Sequence, residues 1–356
     1  MNPTELFATT ADATAFLEQA VRAFTAESVD KLIARLPTVG DDEYVFHPGN
    51  PSDGWRQGCL HWYPVGGERG NAGRIKLAGA PENPIAERTV NSFEAIIEMM
   101  RQLELKTGYV DPPSTPREAV RRYFDLPPLS EVPKMRQLLK DQLPRKYVRD
   151  LAKRIRIRLV REGKQYSVAI EDDGIGQAPG RIHSTLLSLG QSDKGDKPYL
   201  IGVFGQGGSS AYATCTCSWL ISRRHPDLLD GADDGVGWTI IKHVYPKGRR
   251  DDYFAYLAAH PDGRVPLLPA ETADAISFHH GTTFAHVNYD FGRTEPARRL
   301  YPALNHLLFN PILPYELYTG PERKADPMFG NGYRLSLNRK KQVDLDKTFR
   351  DQAVEV

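Results

Sequence analysis

Phe16, Leu17, Val21 and Phe24, then Val29, Leu32, Ile33 and Leu36, recur at helical intervals. They predict one or two helices over residues 11–36, stopped by Pro37. Residues 40–82, rich in Gly, Pro and aromatics, read as irregular structure with about one strand. A longer helix is expected from Asn83-Pro84, with Asn as N-cap and Pro at the first helical position, to about Leu105. Its apolar stripe is Ala86, Val90, Phe93, Ile97 and Met100. Proline-rich residues 109–133 enclose a short helix, REAVRRYF, and residues 134–151 read as a basic helix. RIRIRLV (154–160) and QYSVAIED (165–172) alternate as two strands joined by a tight turn. A short helix is expected over 178–189, a polar loop over 190–200, and another helix from Gly205 to about Cys215. Strands fill 216–290, with WTIIKHVY, DYFAYLA and TTFAHVNY the clearest. A helix near 295–308 precedes a proline-broken tail, and no internal repeat is visible.

This pattern divides the chain into an N-terminal helical and irregular extension (1–82), a central domain (83–295) interrupted by an insertion at about 106–150, and a C-terminal helix and tail (296–356) that could begin a further domain. A chain of 356 residues can bury a sizeable core. A formal net charge of +1, from 46 Lys+Arg and 45 Asp+Glu, argues neither for nor against nucleic acid as a partner. No apolar run approaches a membrane span, and the N-terminus lacks the features of a secretory signal. With Cys59, Cys215 and Cys217 the only cysteines, a reducing cytoplasm is the expected compartment. Cys215 and Cys217, two apart in an expected strand, should pack on one side as small apolar groups.

Candidate chemistry lies in four short strings. In ERTVN, Glu87 and Asn91 are four apart and share a helix face, extended by Glu94 and Glu98. The pair offers a carboxylate that could polarise water and an amide oxygen that could ligate Mg²⁺, although an isolated ExxxN is usually a solvated helix face. EDDGIG ends a strand with carboxylates, of which one aspartate could accept a bond from an adenine amino group. Its glycines allow close backbone approach. IGVFGQGGSSA sets glycines at 202, 205, 207 and 208 before a helix, so free backbone N–H groups could meet phosphate oxygens. It is neither a P-loop nor a Rossmann fingerprint. GQSDKGDK adds Ser192, Lys194 and Lys197 in a loop that could close over a nucleotide. HGTTF supplies Thr282.

In this order the strings resemble the boxes of the GHKL ATPases, which include DNA gyrase, the large heat-shock chaperones, histidine kinases and MutL. DDGIGQAP and SLGQSDK look most like MORC proteins. The likeness covers about residues 83–290. It implies an α/β (α+β) fold of Bergerat type: a two-layer sandwich with helices on one face of a mixed, mainly antiparallel sheet. It implies ATP and Mg²⁺ as cofactors, Glu87 as general base, Asn91 as metal ligand, and Asp172 as the adenine-binding carboxylate supported by Thr282. Gly174 and Gly176 would shape the base pocket. Gly202, Gly205, Gln206, Gly207 and Gly208 would surround the phosphates, with Ser192 and Lys194 in the closing loop. It further implies slow turnover and ATP-gated homodimerisation, with residues 11–36 a candidate exchanged or docked element or a plain packing one.

The chain departs from the family in three places. Gly208 and Ser209 stand where bulkier residues are common, the 106–150 insertion is foreign to the pattern, and the phosphate-sensing lysine of a following domain has only Lys340 and Lys341 as weak counterparts. Residues 134–161 carry eleven Lys/Arg against two Asp/Glu, with Arg154, Arg156 and Arg158 expected on one strand face, a feature compatible with DNA binding in genome maintenance or defence. The alternatives are a histidine or serine protein kinase of the same class, for which no well-placed phosphoacceptor His precedes residue 83, and an ATP-dependent chaperone.

Overall fold

A computed structural model describes residues 6–40, 46–47, 49–126, 142–190, 197–201, 207–246, 252–293, 295–320 and 327–328. Ser192, Lys194, Gly202, Gly205, Gln206, Lys340 and Lys341, and residues 134–141 of the basic segment, lie outside the described residues. Within them run seven α-helices: α1 (Thr10–Ala20), α2 (Ala26–Ile33), α3 (Glu82–Lys106), α4 (Pro116–Phe124), α5 (Gln142–Ala152), α6 (Ala270–Ala275) and α7 (Pro296–Leu307). The ten strands are β1 (His61–Pro64), β2 (Ile155–Glu162), β3 (Gln165–Asp172), β4 (Cys217–Arg223), β5 (Val236–Val244), β6 (Tyr253–Ala258), β7 (Leu267–Leu268), β8 (Gly281–Val287), β9 (Tyr315–Tyr318) and β10 (Pro327–Met328). They form one sheet, ordered β1-β6-β5-β4-β8-β3-β2-β9-β10, with β7 beside β5. Every pairing is antiparallel except β2 with β9. This is the expected α/β class with a mixed, mainly antiparallel sheet.

Strand alternation sorts side chains to two faces. Ile155, Ile157 and Leu159 of β2 and Val168 and Ile170 of β3 meet Ile85, Phe93, Ile96 and Ile97 of α3 and Leu300 and Leu304 of α7. The stripe on α3 is therefore real: Ala86, Phe93 and Ile97 are buried, and Val90 and Met100 pack at its margin. The helix starts earlier than expected. Glu82 opens it after Pro81, with no side-chain cap, and Glu82 is buried in an ion pair with Arg299 of α7. That tertiary contact replaces the local cap Asn83 would have supplied. The opposite face is covered by α1, α2 and α6, where Phe16 packs 4.7 Å from Trp238 and 6.1 Å from Trp219. Residues 11–36 are thus core-forming, and burying Phe16 and Leu17 contributes roughly 2–3 kcal/mol each.

Five expectations need correction. The stretches expected as helices at 178–189 and from Gly205 to Cys215 are short 3-10 segments, Pro179–Ser184 and Gly207–Thr214. Cys215 and Cys217 do not share a side: Cys217 opens β4 and enters the α1-covered core, whereas Cys215 precedes the strand and packs on the α3 side. The proline-broken tail contains β9, which adds to β2 in parallel register, Ile157 opposite Leu317. Arg154 precedes β2 rather than sharing its face with Arg156 and Arg158. Those two arginines are held by carboxylates of the chain itself, Arg156 by Glu171 and Asp173 at 3.1 Å each and Arg158 by Glu171. Among the described residues no helix is long and apolar enough to cross a membrane.

Candidate functional site

Asn91 on α3, Asp172 at the end of β3, Thr282 at the start of β8, and Gly208 and Ser209 at the head of a 3-10 segment line one cleft of about 310 Å³. Ser92, Glu94, Glu98, Ile170, Ile175, Gln177, Lys197, Tyr212 and Phe284 share its walls. The sheet brings Asp172 and Thr282 together because β3 and β8 pair in a register that sets them directly opposite. The helix contributes Asn91, Glu94 and Glu98 from successive turns, at i, i+3 and i+7. Glu87 is half-buried one turn before Asn91 and is not among the described residues that line the cleft.

Asp172 is the most constrained group. It is 7% exposed. Gly174 N–H donates to Oδ1 at 3.0 Å, and the backbone of Thr282 donates to the carboxylate as well. Ser92 Oγ lies 3.0 Å from Oδ2 and 3.1 Å from the carbonyl of Arg88. This hydroxyl suits either state of the acid. It donates to an ionised carboxylate; when Oδ2 carries a proton it accepts that proton's bond and turns its own to Arg88. Burial is the main influence and pushes Asp172 up to about 7, against the lowering by Gly174, Ser92 and Thr282. The Thr282 hydroxyl points elsewhere, pairing with Ser222 Oγ at 2.9 Å, which also accepts from Gln177 N–H at 3.0 Å.

The two glycines of EDDGIG are required by packing within the chain. A Cβ on Gly174 would lie 2.6 Å from Ala95 Cβ, so this loop rests directly on α3, and Ile175 N–H donates to the Ala95 carbonyl at 3.0 Å. Gly176 has a φ of +61°, and a Cβ there would fall 1.8 Å from the Arg223 carbonyl oxygen. Holding the loop in place sets Ile175 and Gln177 into the cleft.

Glu94 and Glu98 serve the rim. Glu94 Oε1 accepts from Ile201 N–H at 2.8 Å, and Glu98 pairs with Lys197 Nζ at 2.8 Å and accepts from the Tyr199 hydroxyl at 3.0 Å. The 197–201 segment is therefore tied to the same face of α3 that carries Asn91. Arg88, on the inner side, is 7% exposed and lays its guanidinium over the Phe284 ring at 3.5 Å. His286 behind it is held neutral, well below its usual range, first by burial and then by Arg88. Its Nδ1 meets Ser218 Oγ at 2.8 Å.

Of the sequence candidates, the described residues bring together Asn91, Asp172, Thr282, Gly208 and the loop built on Gly174 and Gly176; Gly207 begins the adjoining 3-10 segment. Sequence reasoning missed Arg88, Ser92 and Ser222 as parts of the site, and read Glu94 and Glu98 only as a polar face. Glu94 and Glu98, at i+3 and i+7 from Asn91, carried a signal in their shared helix face; Arg88, Ser92 and Ser222 carried none. Among the described residues no three His, Cys, Asp or Glu side chains cluster to hold a metal unaided. Compared with known proteins, the chain matches no family model and no curated protein.

Proposed function

We propose that this cleft binds ATP and hydrolyses it slowly, in the manner of a GHKL ATPase of MORC or MutL type. The observation that carries this reading is the convergence of Asn91, Asp172, Thr282 and Gly208, from four separated strings, on one cavity.

Asp172 is a buried acceptor in the cleft wall, backed by Ser92, Gly174 and Thr282, and suits the exocyclic amino group of adenine. Ile170 and Ile175 give the base apolar walls. The 3-10 segment from Gly207 presents backbone N–H groups near the phosphate end. Asn91 is exposed on the cleft wall and offers the oxygen that magnesium prefers; with no three-carboxylate cluster beside it among the described residues, an ion here would be shared with the phosphates. Magnesium, when bound, would offset phosphate charge. Glu87, one turn away, orients the attacking water and takes its proton. The 197–201 segment, tied to Glu94 and Glu98, is the fixed end from which the lid strings close. Closure excludes water and favours a homodimer. Action on DNA in genome maintenance or defence belongs to the same reading, but Arg156 and Arg158 do not support it, being engaged by Glu171 and Asp173.

The test is one experiment on the wild type and Glu87→Ala. The variant should bind ATP as the wild type does, lose hydrolysis, and accumulate as dimer in light scattering with ATP. Unchanged turnover removes Glu87 from its role, and a monomer at saturating ATP removes the gated dimer.

A further inference from the structure

Arg88 stands out among the groups around the cleft. It is more than nine-tenths buried, yet no carboxylate pairs with it among the described residues, and its Nε and Nη2 have no hydrogen-bond partner there. A buried guanidinium without an acceptor is costly, and proteins ordinarily pair such a group or replace it by an apolar one. What holds it here is aromatic: the Phe284 ring at 3.5 Å and the Tyr212 ring at 5.2 Å. Phe284, Tyr212 and Arg88 itself all line the cleft. On its other side lies Gly208, where a Cβ would sit 3.5 Å from Arg88 Cγ and Nη1, an ordinary contact. His286 beside it is neutral, so Arg88 and Lys197 are the cations of the cleft among the described residues. Lys197 is already taken by Glu98.

We propose that Arg88 is an anion-recognition residue of this site, contributed by the chain itself, which meets the phosphate groups of the bound nucleotide between Gly208 and Phe284. The inference rests on the nucleotide reading above and names the part of the ligand that Arg88 selects. A planar guanidinium held flat against a ring keeps its N–H edge oriented, and phosphate oxygens match that edge. The missing acceptor is then supplied by the ligand, toward which the enclosed Nε and Nη2 turn as it binds. A free protein that holds an unsatisfied cation in the cleft should therefore prefer polyphosphate forms to the bare nucleoside.

Calorimetric titration of the full chain with ATP and, separately, with adenosine tests this in the wild type, Arg88→Met and Arg88→Lys. Arg88→Met should weaken ATP by roughly tenfold to hundredfold, the range for a hydrogen bond to a charged group, and leave adenosine within about twofold. Arg88→Lys, which keeps the charge but not the fork, should bind ATP more tightly than Arg88→Met. Without ligand, Arg88→Met should melt no lower than the wild type, because it removes an uncompensated buried charge. A packing role would act oppositely, lowering the melting temperature and leaving the ratio of ATP to adenosine affinity unchanged, and that result overturns the assignment. Equal ATP binding by Arg88→Lys and Arg88→Met does the same. If the wild type binds neither ATP nor adenosine, the nucleotide reading fails and takes this proposal with it. That outcome is distinct from a wild type that binds ATP and an Arg88→Met that binds it equally well.

Discussion

Replacing Asp172 by asparagine should stabilise the ligand-free protein at alkaline pH. The carboxyl rises from its ordinary 3.8 to about 7 because folding buries it. A raised pKa in the folded state means that the folded protein holds the proton more tightly than the unfolded chain. The resulting stability is fully present below about pH 4, falls as pH rises, and is gone above about pH 7. At ~1.4 kcal/mol per pH unit, the span amounts to about 4 kcal/mol as an upper figure. The neutral amide of Asp172→Asn carries no such penalty. Its nitrogen can donate to Ser92, whose hydroxyl already lies 3.1 Å from the Arg88 carbonyl, and its oxygen can still accept from Gly174. The lowering by the Gly174, Ser92 and Thr282 bonds is already contained in the value of about 7. A gain of up to about 4 kcal/mol is therefore expected near pH 8, shrinking to about 1–2 kcal/mol near pH 5 and to nothing below about pH 4. Urea denaturation of both proteins from about pH 5 to pH 8 measures it, alongside ATP titration, in which Asp172→Asn should bind far more weakly. Parallel stability profiles for the two proteins would refute the claim that Asp172 is forced to ionise against burial. A group that lowers stability where it is charged, yet is needed for binding, is expected of a binding site rather than of packing.

Gly176→Ala should unfold the protein or lower its stability by more than about 3 kcal/mol in urea, since the new Cβ falls 1.8 Å from the Arg223 carbonyl oxygen at a φ of +61°; near-wild-type stability would mean that this loop can move off β4. Glu98→Gln loses its ion pair with Lys197, a partly buried contact worth about 1 kcal/mol, and should speed hydrogen exchange over residues 197–201 while barely moving the global melting temperature. Unchanged protection there would show that Glu94 and Ile201 alone hold the segment.

The strong periods were legible. The stripe on α3, the alternation of β2 and the apolar runs of β3, β5, β6 and β8 follow from burial on one or two faces, and the sequence carries that directly. Elements fixed by distant partners were not. The start of α3 at Glu82 depends on Arg299, more than two hundred residues away, so the local Asn-Pro signal misled by two residues. The strand YELY is four residues long between prolines and has no period to read; β2 defines it. In the site, Asp172 and Thr282 were readable because they close or open a recognisable strand, and Asn91 because it follows Glu87 by one helical turn. Ser222 was not, because a serine inside a buried strand looks like any small residue until Thr282 and Gln177 are seen to bond it. Arg88 hid for a different reason. A charged residue beside Glu87 on a helix is ordinarily solvated, and only the packing of Phe284 and Tyr212 reveals that it is enclosed.

The parallel junction of β2 with β9 has a bearing on how the chain is made. Residues leave the ribosome in order, and β2, β3 and the elements up to β8 emerge well before Tyr315–Tyr318. Until those four residues arrive, the outer ladder of β2 is an open strand edge, the kind that recruits foreign strands. Sheet completion thus waits on a late segment, and α7, whose Leu300 and Leu304 pack into the same core, is synthesised just before the strand that seals the edge.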